Sequence, residues 1–375
     1  MERDARALAR AAFGAPVVPP GRVARVLTRL RARLLGIHRA GGPPPVRILE
    51  GLFGLVDNRV LGVLVALDVP EHLDAPRTVE ELAAATGTDP ARLRRVLRYA
   101  VGRGFLDQDR RGRFKPNAVT ARLRRDHPNS WRGWVEFAGS ERFWDAWRHL
   151  PAALQPNGPS GFEAATGQPF FEYVNHTDPA AGRAFNAAME AGSSVQGLAL
   201  ASALSWRDVQ TVCDVGGGTG AALEAILTAV PHVEATLFDL PEVVADLRPS
   251  LTAGALAARC RAEGGDFFQE VPAGADRYLL LAVVHDWDDD EVVTILTNVH
   301  QAMTAGSEAV VVEWVLPERP ADDFAFAADL LMLAVATGRE RTHDEFVDLF
   351  ERARLRVQDR RWLASGSAAY VLRMR

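Results

Sequence analysis

The chain has 375 residues, of which 48% are hydrophobic and 24% charged, a balance typical of a globular protein with a large core. Its 43 basic and 48 acidic side chains give a net charge of −5, so the composition does not favour nucleic acid as a partner. Two cysteines are too few for a disulfide framework, and no apolar run is long enough for a membrane span or a secretory leader, which together predict a cytoplasmic protein.

A chain of this length exceeds what one hydrophobic core usually organises, so we expect two domains. The predicted division is an N-terminal extension over residues 1–45, a helical domain over 46–205 and a second domain over 206–375. The extension is rich in arginine, but the break at Val18-Pro19-Pro20 interrupts any long amphipathic helix of the kind found in transit peptides. We therefore expect a loosely ordered segment or a dimer arm.

The first part of the helical domain follows a distinctive order. Apolar residues recur at helical spacing from Val46 to Leu73, and Thr78-Val-Glu-Glu81 has the form of a capping box. Asp89-Pro90 supplies the start of a second short helix, and residues 104–107 and 112–114 form two short strand patterns around a polar turn. Helix, helix and hairpin predict a winged-helix unit, which keeps a DNA-binding regulator open as an alternative.

Aromatic residues crowd the second part of the helical domain, from Trp131 to Trp147 and on to Tyr173. Such a set either fills a core or lines a flat apolar pocket. A helical pattern then returns from Asp178 to Leu204 and is expected to lead into the second domain.

From Val209 onward, strand patterns alternate with helix patterns. This alternation predicts a Rossmann-like α/β fold, that is, a doubly wound and mostly parallel sheet with crossover helices. The predicted strands cover residues 211–215, 235–238, 278–284, 309–315, 356–360 and 369–373. The predicted helices cover residues 221–229, 241–247, 288–303, 324–334 and 343–352. The last two strands are expected to be antiparallel.

The first predicted strand of this domain ends in a glycine loop, Gly216-Gly-Gly-Thr-Gly220, that leads directly into a helix. A strand, a glycine turn and a helix let a nucleotide-like ligand approach the backbone closely. Asp239 ends the next strand, where its carboxylate can accept both hydrogen bonds of a ribose diol. These features alone fit either an adenosyl or a dinucleotide cofactor.

Two further segments distinguish between these cofactors: Gly264-Gly-Asp266-Phe-Phe268, and His285-Asp-Trp-Asp-Asp-Asp290 after the predicted strand over 278–284. With them, the chain resembles the small-molecule O-methyltransferases that use S-adenosylmethionine in plants and in bacterial natural-product pathways. The resemblance covers roughly residues 45–375. It rests on DVGGGTG (214–220), FDLPEVV (238–244), GGDFF (264–268), HDWDDDE (285–291) and GRERT (338–342).

The resemblance implies roles for the cofactor-binding residues. In that family the glycine loop holds the methionine portion, which falls here to Gly216 and Gly218. The acid after the second strand, here Asp239, binds the ribose. The predicted adenine contacts are Asp266 and Phe267, and Asp214 and Leu240 complete the predicted set from the same motifs.

The resemblance also implies a catalytic histidine at His285, supported by Glu313 and Glu340. A phenol has a pKa of about 10 and is a poor nucleophile at neutral pH, so a base is needed. A neutral histidine, with an ordinary pKa of about 6.5, can take the proton, and a carboxylate on its far nitrogen would fix the tautomer.

The predicted substrate contacts are Phe185, Met189, Met332 and Asp286, the first three being equally consistent with plain core packing. The acids from Asp286 to Asp290 are also metal-ligand types, but consecutive acids at a helix start are explained more simply as N-capping charges, and we predict no metal. Many members of the family carry a basic residue at the position of Leu281.

The sequence therefore predicts an O-methyltransferase that acts on a hydroxyl of a small aromatic natural-product intermediate, with His285 as general base. The resemblance implies a homodimer. One alternative is an enzyme of the same fold that performs N- or C-methylation or hydroxylation. The other is a cofactor-binding transcriptional regulator.

Overall fold

The computed structural model describes residues 21–320 and 323–375. These residues form two compact units that interleave along the chain. The helical unit comprises residues 38–144 and 179–191, and the sheet unit comprises the residues up to 37, 145–178 and 192–375. None of the helices in the described ranges is long and apolar enough to cross a membrane.

The first described element is a helix, α1 (Gly21–Gly41), in the segment that we expected to be loosely ordered. A loosely ordered segment is therefore wrong for these residues, whereas the dimer arm stays a prediction. A proline restricts its own position and the residue before it, so the residues after Pro20 are free to form a helix. Residues 1–20 of the predicted extension lie outside the described residues.

The helical unit contains the predicted winged-helix arrangement. Its helices are α2 (Pro44–Leu52), α3 (Leu55–Ala66), α4 (Val79–Thr86), α5 (Pro90–Gly102), α6 (Ala118–Arg122) and α7 (Arg132–Gly139). A two-stranded antiparallel hairpin, β1 (Asp107–Gln108) with β2 (Phe114–Lys115), follows α5. The Thr78 capping box and the Asp89 N-cap both form as predicted, and Leu82, Leu97 and Phe114 are buried between these elements.

Three helices run from one unit into the other along the chain: α1, α8 (Glu141–Arg148) and α12 (Pro179–Ala203). The remaining helices belong to the sheet unit. They are α9 (Leu150–Ala153), α10 (Gly161–Thr166), α11 (Phe170–Glu172), α13 (Ala221–Ala229), α14 (Pro241–Val244), α15 (Pro249–Thr252), α16 (Asp289–Ala302), α17 (Phe324–Val335) and α18 (His343–Arg352).

The sheet unit is built on one seven-stranded sheet in the order β10-β11-β7-β6-β3-β4-β5. Its strands are β3 (Thr211–Val215), β4 (Glu234–Asp239), β5 (Cys260–Gly264), β6 (Arg277–Leu281), β7 (Glu308–Glu313), β10 (Leu355–Trp362) and β11 (Ala368–Met374). Strands β3 to β7 are parallel, whereas β10 and β11 are antiparallel, as predicted. Two short strands, β8 (Val315–Leu316) and β9 (Arg341–Thr342), form a separate parallel pair.

Alternate residues of the central strands are buried on opposite faces of the sheet. On β6, Tyr278 and Leu280 belong to one apolar cluster, and Leu279 and Leu281 belong to the other. This two-residue period is what a strand covered by helices on both faces requires. The chain order reverses between β3 and β6, and ligands of open α/β sheets bind at the carboxyl ends of strands next to such a reversal.

Candidate active site

The glycine loop joins β3 to α13 and holds the carboxylate of Asp239. The backbone N–H of Gly216 donates to the Phe238 carbonyl at 2.8 Å. The N–H of Gly218 donates to Asp239 Oδ2 at 2.8 Å, and the N–H of Leu240 donates to Asp239 Oδ1 at 2.7 Å. The ends of β3 and β4 are therefore fixed to each other through one carboxylate.

Gly218 leaves an opening in this loop. Its φ is +58°, in the left-handed region, and a methyl group at its position would meet nothing within 4 Å. A methyl at Gly217 would instead lie 2.8 Å from Asp214 Oδ2, and one at Gly220 would lie 2.3 Å from Leu251 Cδ1. The space beside Gly218 is thus the place where a ligand can approach the loop.

The carboxylates of Asp214 and Asp239 lie next to the glycine loop and are suited to a ligand with several hydrogen-bond donors. Asp214 is buried, and its Oδ2 has no hydrogen-bond partner among the described residues. Burial, and then the charge of Asp239, raise the pKa of Asp214 to about 7. Burial also raises the pKa of Asp239, against the two backbone N–H donors that favour its charged form. Hydroxyl or ammonium donors on a ligand would stabilise the charged form of both carboxylates.

An aromatic cluster follows β5. Asp266 fixes this segment, because its Oδ1 accepts the N–H of Phe268 at 2.9 Å. The rings of Phe267 and Phe268 pack edge-on against Trp287 at centroid distances of 5.8 and 4.8 Å, and Phe171 stacks on Trp287 at 5.6 Å. Phe267 therefore lies in a wall of aromatic rings, to which the sequence reasoning had not assigned Trp287 or Phe171.

His285 lies just beyond the end of β6, in a short 3₁₀ turn over Val284–Asp286. Its Nδ1 lies 3.0 Å from Glu340 Oε1 and 3.3 Å from Glu313 Oε2. Its Nε2 lies 3.7 Å from Asp286 Oδ1. The imidazole is 15% exposed, whereas both glutamate side chains are fully buried. The structure thus brings together the three residues that were predicted to be catalytic.

Each glutamate is held by its own contact. Glu313 is the last residue of β7, and its Oε1 accepts the N–H groups of Val283 and Val284 at 3.0 and 2.9 Å. The N–H of Glu340 donates to Asp329 Oδ1 of α17 at 3.0 Å. The first pair of contacts fixes the Glu313 carboxylate to the His285 turn, and the second fixes the backbone of Glu340 to α17.

The charges in this cluster shift the pKa of several groups. Burial lowers the pKa of His285, but the charges of Glu313, Asp286 and Glu340 outweigh it, so the pKa lies well above its ordinary value. Burial raises the pKa of Glu313 to about 7 and that of Asp286 to about 6. The imidazole therefore has a strong affinity for a proton, as a base needs.

Gly338 packs against the turn from the GRERT segment. A methyl group at Gly338 would lie 1.9 Å from the carbonyl oxygen of His285 and 2.5 Å from the backbone nitrogen of Trp287. Only glycine allows this approach of two backbones.

The acids after His285 have structural partners. Asp288 is the N-cap of α16 and accepts the N–H groups of Asp290 and Glu291, which confirms the capping interpretation. Asp290 pairs with Arg352. The imidazole and the two glutamates are also types that bind metals, and their donor atoms lie within 4.8 Å of one another. His285 is hydrogen-bonded to Glu340, whereas Glu313 Oε2 and Glu340 Oε2 are buried without a hydrogen-bond partner among the described residues.

The predicted substrate residues lie in both units. Met332 is buried on α17 of the sheet unit. Phe185 and Met189 lie on the part of α12 that belongs to the helical unit, where the Phe185 ring is 5.6 Å from the ring of Phe137. Their contact with a substrate stays a prediction. Leu281 is buried at the end of β6.

Comparison with known proteins places this geometry in context. A model of the O-methyltransferase domain matches residues 147–356, and a model of the O-methyltransferase dimerisation domain matches residues 49–125.

The mitomycin biosynthesis 6-O-methyltransferase of Streptomyces lavendulae is 38% identical over 302 residues, which cover 80% of this chain and 86% of that protein. The aclacinomycin 10-hydroxylase of Streptomyces purpurascens is 33% identical over 326 residues, covering 85% and 86%. Among solved structures, a methyltransferase of calicheamicin biosynthesis in its S-adenosylhomocysteine-bound form superposes with a TM-score of 0.80 at 35% identity, covering 88% of this chain and 98% of that one.

Proposed function

This chain belongs to the O-methyltransferase family, and on that basis we propose that it methylates a hydroxyl group of a small aromatic natural-product intermediate. Its methyl donor is S-adenosylmethionine, as in the family. The acceptor class is proposed because relatives that match over most of their length include a phenazine O-methyltransferase and a 2,7-dihydroxy-5-methyl-1-naphthoate 7-O-methyltransferase, and phenazine and naphthoate are aromatic.

The loop and the aromatic cluster fit this donor. Asp239 would accept hydrogen bonds from the ribose hydroxyls, and the opening beside Gly218 would admit the methionine portion. Phe267, within the wall of aromatic rings, offers a flat surface for adenine. The carboxylate of Asp266 offers a hydrogen-bond acceptor. We propose Asp214, Gly216 and Leu240 as the other members of this set. When bound, the sulfonium supplies an activated methyl group and its own leaving group.

His285 would act as the general base. Because Nδ1 donates to Glu340, the proton of a neutral imidazole stays on Nδ1 and leaves the lone pair of Nε2 free to accept the substrate proton. The carboxylates of Glu340 and Glu313 then stabilise the imidazolium that forms. Asp286, 3.7 Å from Nε2, would contact the substrate at the same edge of the ring. The single observation that carries this proposal is the hydrogen bond between Nδ1 of His285, which lies just beyond the end of β6, and the buried carboxylate of Glu340.

The proposal is tested by incubating the enzyme with S-adenosylmethionine and a panel of hydroxylated aromatic compounds. Transfer gives a product heavier by one CH₂ group, and tandem mass spectrometry places the methyl on oxygen. The variant H285A should lose a factor of about 10² to 10⁴ in kcat, the usual contribution of a positioned base. A variant that keeps the wild-type kcat would rule out His285 as the base.

A second candidate function is chemistry other than O-methylation on the same fold. It is favoured by the similarity to a hydroxylase at 33% identity. The same mass measurement separates the two, because hydroxylation adds one oxygen atom and N- or C-methylation puts the CH₂ group on another atom. Retention of the full histidine and glutamate set supports O-methylation.

We also propose that the protein acts as a homodimer without a nucleic-acid partner. The dimerisation domain model matches the helical unit from residue 49. Large apolar side chains on α2, in the turn after it and at the start of α3 are more than half exposed in the single chain: Ile48, Leu49, Leu52, Phe53 and Leu55. An exposed apolar patch of this kind marks an interface.

The net charge of −5 gives no reason to expect nucleic acid. The division at residue 205 into a dimerisation and a catalytic domain is part of this proposal.

A further inference from the structure

The residue that follows Glu340 is an arginine with no exposed surface. Arg341 is the largest fully buried side chain among the described residues. A buried charge is costly unless it is paired and its hydrogen-bond donors are satisfied. The carboxylate of Asp289, at the start of α16, provides the pairing: Arg341 Nε and Nη2 lie 2.9 and 2.8 Å from Asp289 Oδ1.

The other donors of Arg341 reach the backbone on both sides of His285. Nη1 donates to the Val284 carbonyl at 2.9 Å, and Nη2 donates to the Trp287 carbonyl at 2.8 Å. Nη1 also donates to the carbonyl of Arg339 at 3.2 Å. One planar guanidinium therefore connects both ends of the turn that carries His285 with the segment that carries Glu340.

We propose that Arg341 is a positioning residue for the base, which sets the distance between the His285 imidazole and the carboxylate of Glu340. The guanidinium is suited to this because its donors lie in a fixed plane and lose little freedom on binding. Neighbours that orient a catalytic group affect rate strongly, since a misplacement of about 1 Å costs about 10²-fold. This inference rests on the proposed role of His285.

The test is the variant R341K. Lysine keeps the charge beside Asp289 but cannot reach both carbonyls of the turn with planar geometry. We expect kcat to fall by about 10- to 100-fold while KM for S-adenosylmethionine changes by less than about twofold, because the glycine loop and Asp239 are untouched.

The pH dependence of kcat/KM provides a second measurement, which would not change if the role of Arg341 were purely structural. The pKa of His285 is held up by Glu313 on β7, Glu340 on the facing segment and Asp286 on its own turn. If the turn loosens, the imidazole moves away from the two glutamates and its pKa falls. The rising limb of kcat/KM should therefore shift to lower pH in R341K, and the ¹⁵N-histidine titration of His285 should shift in the same direction.

The matched control is R339K. Arg339 shares Asp289 with Arg341 and also pairs with Glu345, but its side chain is 42% exposed and donates to neither carbonyl of the turn. It should keep kcat within about twofold and leave the pH profile unchanged.

Wild-type kcat in R341K would overturn the inference, as would equal losses of kcat and cofactor affinity in R341K and R339K. If R341K does not fold, the double variant R341Q/D289N removes both charges together and so leaves no unpaired buried charge. It should show the same fall in kcat and the same shift in pH, and wild-type values would contradict the proposal. If H285A keeps wild-type activity, the proposed role of His285 as the base fails and this inference fails with it; if only R341K keeps wild-type activity, this inference alone fails.

Discussion

His285 is surrounded by carboxylates, and their charge decides the pH at which it can accept a proton. Only the neutral imidazole is a base, so a raised pKa moves the active form to higher pH. We therefore expect the rising limb of kcat/KM to have its midpoint above the ordinary histidine value of about 6.5.

The variant E340Q tests the sign of this effect. Removing one carboxylate lowers the pKa of His285, so the midpoint of the rising limb should move to lower pH. The plateau rate should fall, because the imidazolium formed during transfer loses the stabilisation of a charged neighbour. The variant D344N, which removes an exposed carboxylate in the first turn of α18, should leave the midpoint unchanged. A midpoint in E340Q that stays in place or rises would contradict this assignment.

Several residues of the site could be identified from the sequence because they belong to local patterns. Asp239 ends a strand nineteen positions after the glycine loop, and His285 follows another strand. The role of Arg341 could not be predicted, although it stands in the GRERT segment, because its partners lie more than fifty positions earlier in the chain. The stacking of Phe171 on Trp287 depends on tertiary packing in the same way.

The variant G218A tests whether the glycine loop binds the cofactor. The φ of +58° at Gly218 means that G218A adds backbone strain of about 1 to 2 kcal/mol, and the added methyl would occupy the opening where the cofactor is proposed to lie. G218A should weaken the binding of S-adenosylhomocysteine by at least about tenfold, as measured by isothermal titration.

The chain offers a matched control for that variant. Gly87, at the end of α4, has a φ of +66° and also meets nothing within 4 Å, so G87A carries similar strain without touching the proposed site. G87A should lower the midpoint of thermal unfolding but leave the affinity unchanged. Equal loss of affinity in both variants would mean that strain, not the loss of space, explains the effect.

Elements with local start signals were predicted well. The capping boxes at Thr78 and Thr342 begin helices as expected, and α13 and α18 have the predicted bounds. Strand β5 was missed because it lies at the edge of the sheet and its residues are largely exposed, so it lacks an apolar pattern. The strand predicted over 278–284 ends at Leu281, since the backbone turns at Ala282 to place His285.

The proposed dimer can be tested by substituting an exposed apolar residue of α2. A large apolar side chain contributes about 1.5 to 3 kcal/mol when it is buried, and a twofold interface buries each one twice. L52D should therefore shift the protein from dimer to monomer in sedimentation velocity. L154D, at an equally exposed leucine outside the matched dimerisation domain, should remain a dimer. A dimeric L52D would contradict the proposed interface.

The class of fold was evident in the alternation of strands and helices, but the division into compact units was not. Residues 145–178 precede the sheet in the chain and yet belong to the sheet unit. Compactness depends on long-range contacts that periodicity does not report, such as the hydrogen bond that the Ser160 hydroxyl donates to the Val335 carbonyl. The exposure of the apolar face of α2 is likewise visible only once the chain is folded.

The most direct test of the central claim is isothermal titration of S-adenosylhomocysteine into the wild-type protein and into H285A. The account predicts that both bind it with similar affinity, because the loop, Asp239 and the aromatic cluster hold the cofactor while His285 acts only on the acceptor. Absence of binding to either protein would contradict the methyltransferase function, and loss of binding in H285A alone would show that His285 holds the cofactor instead of serving as the base.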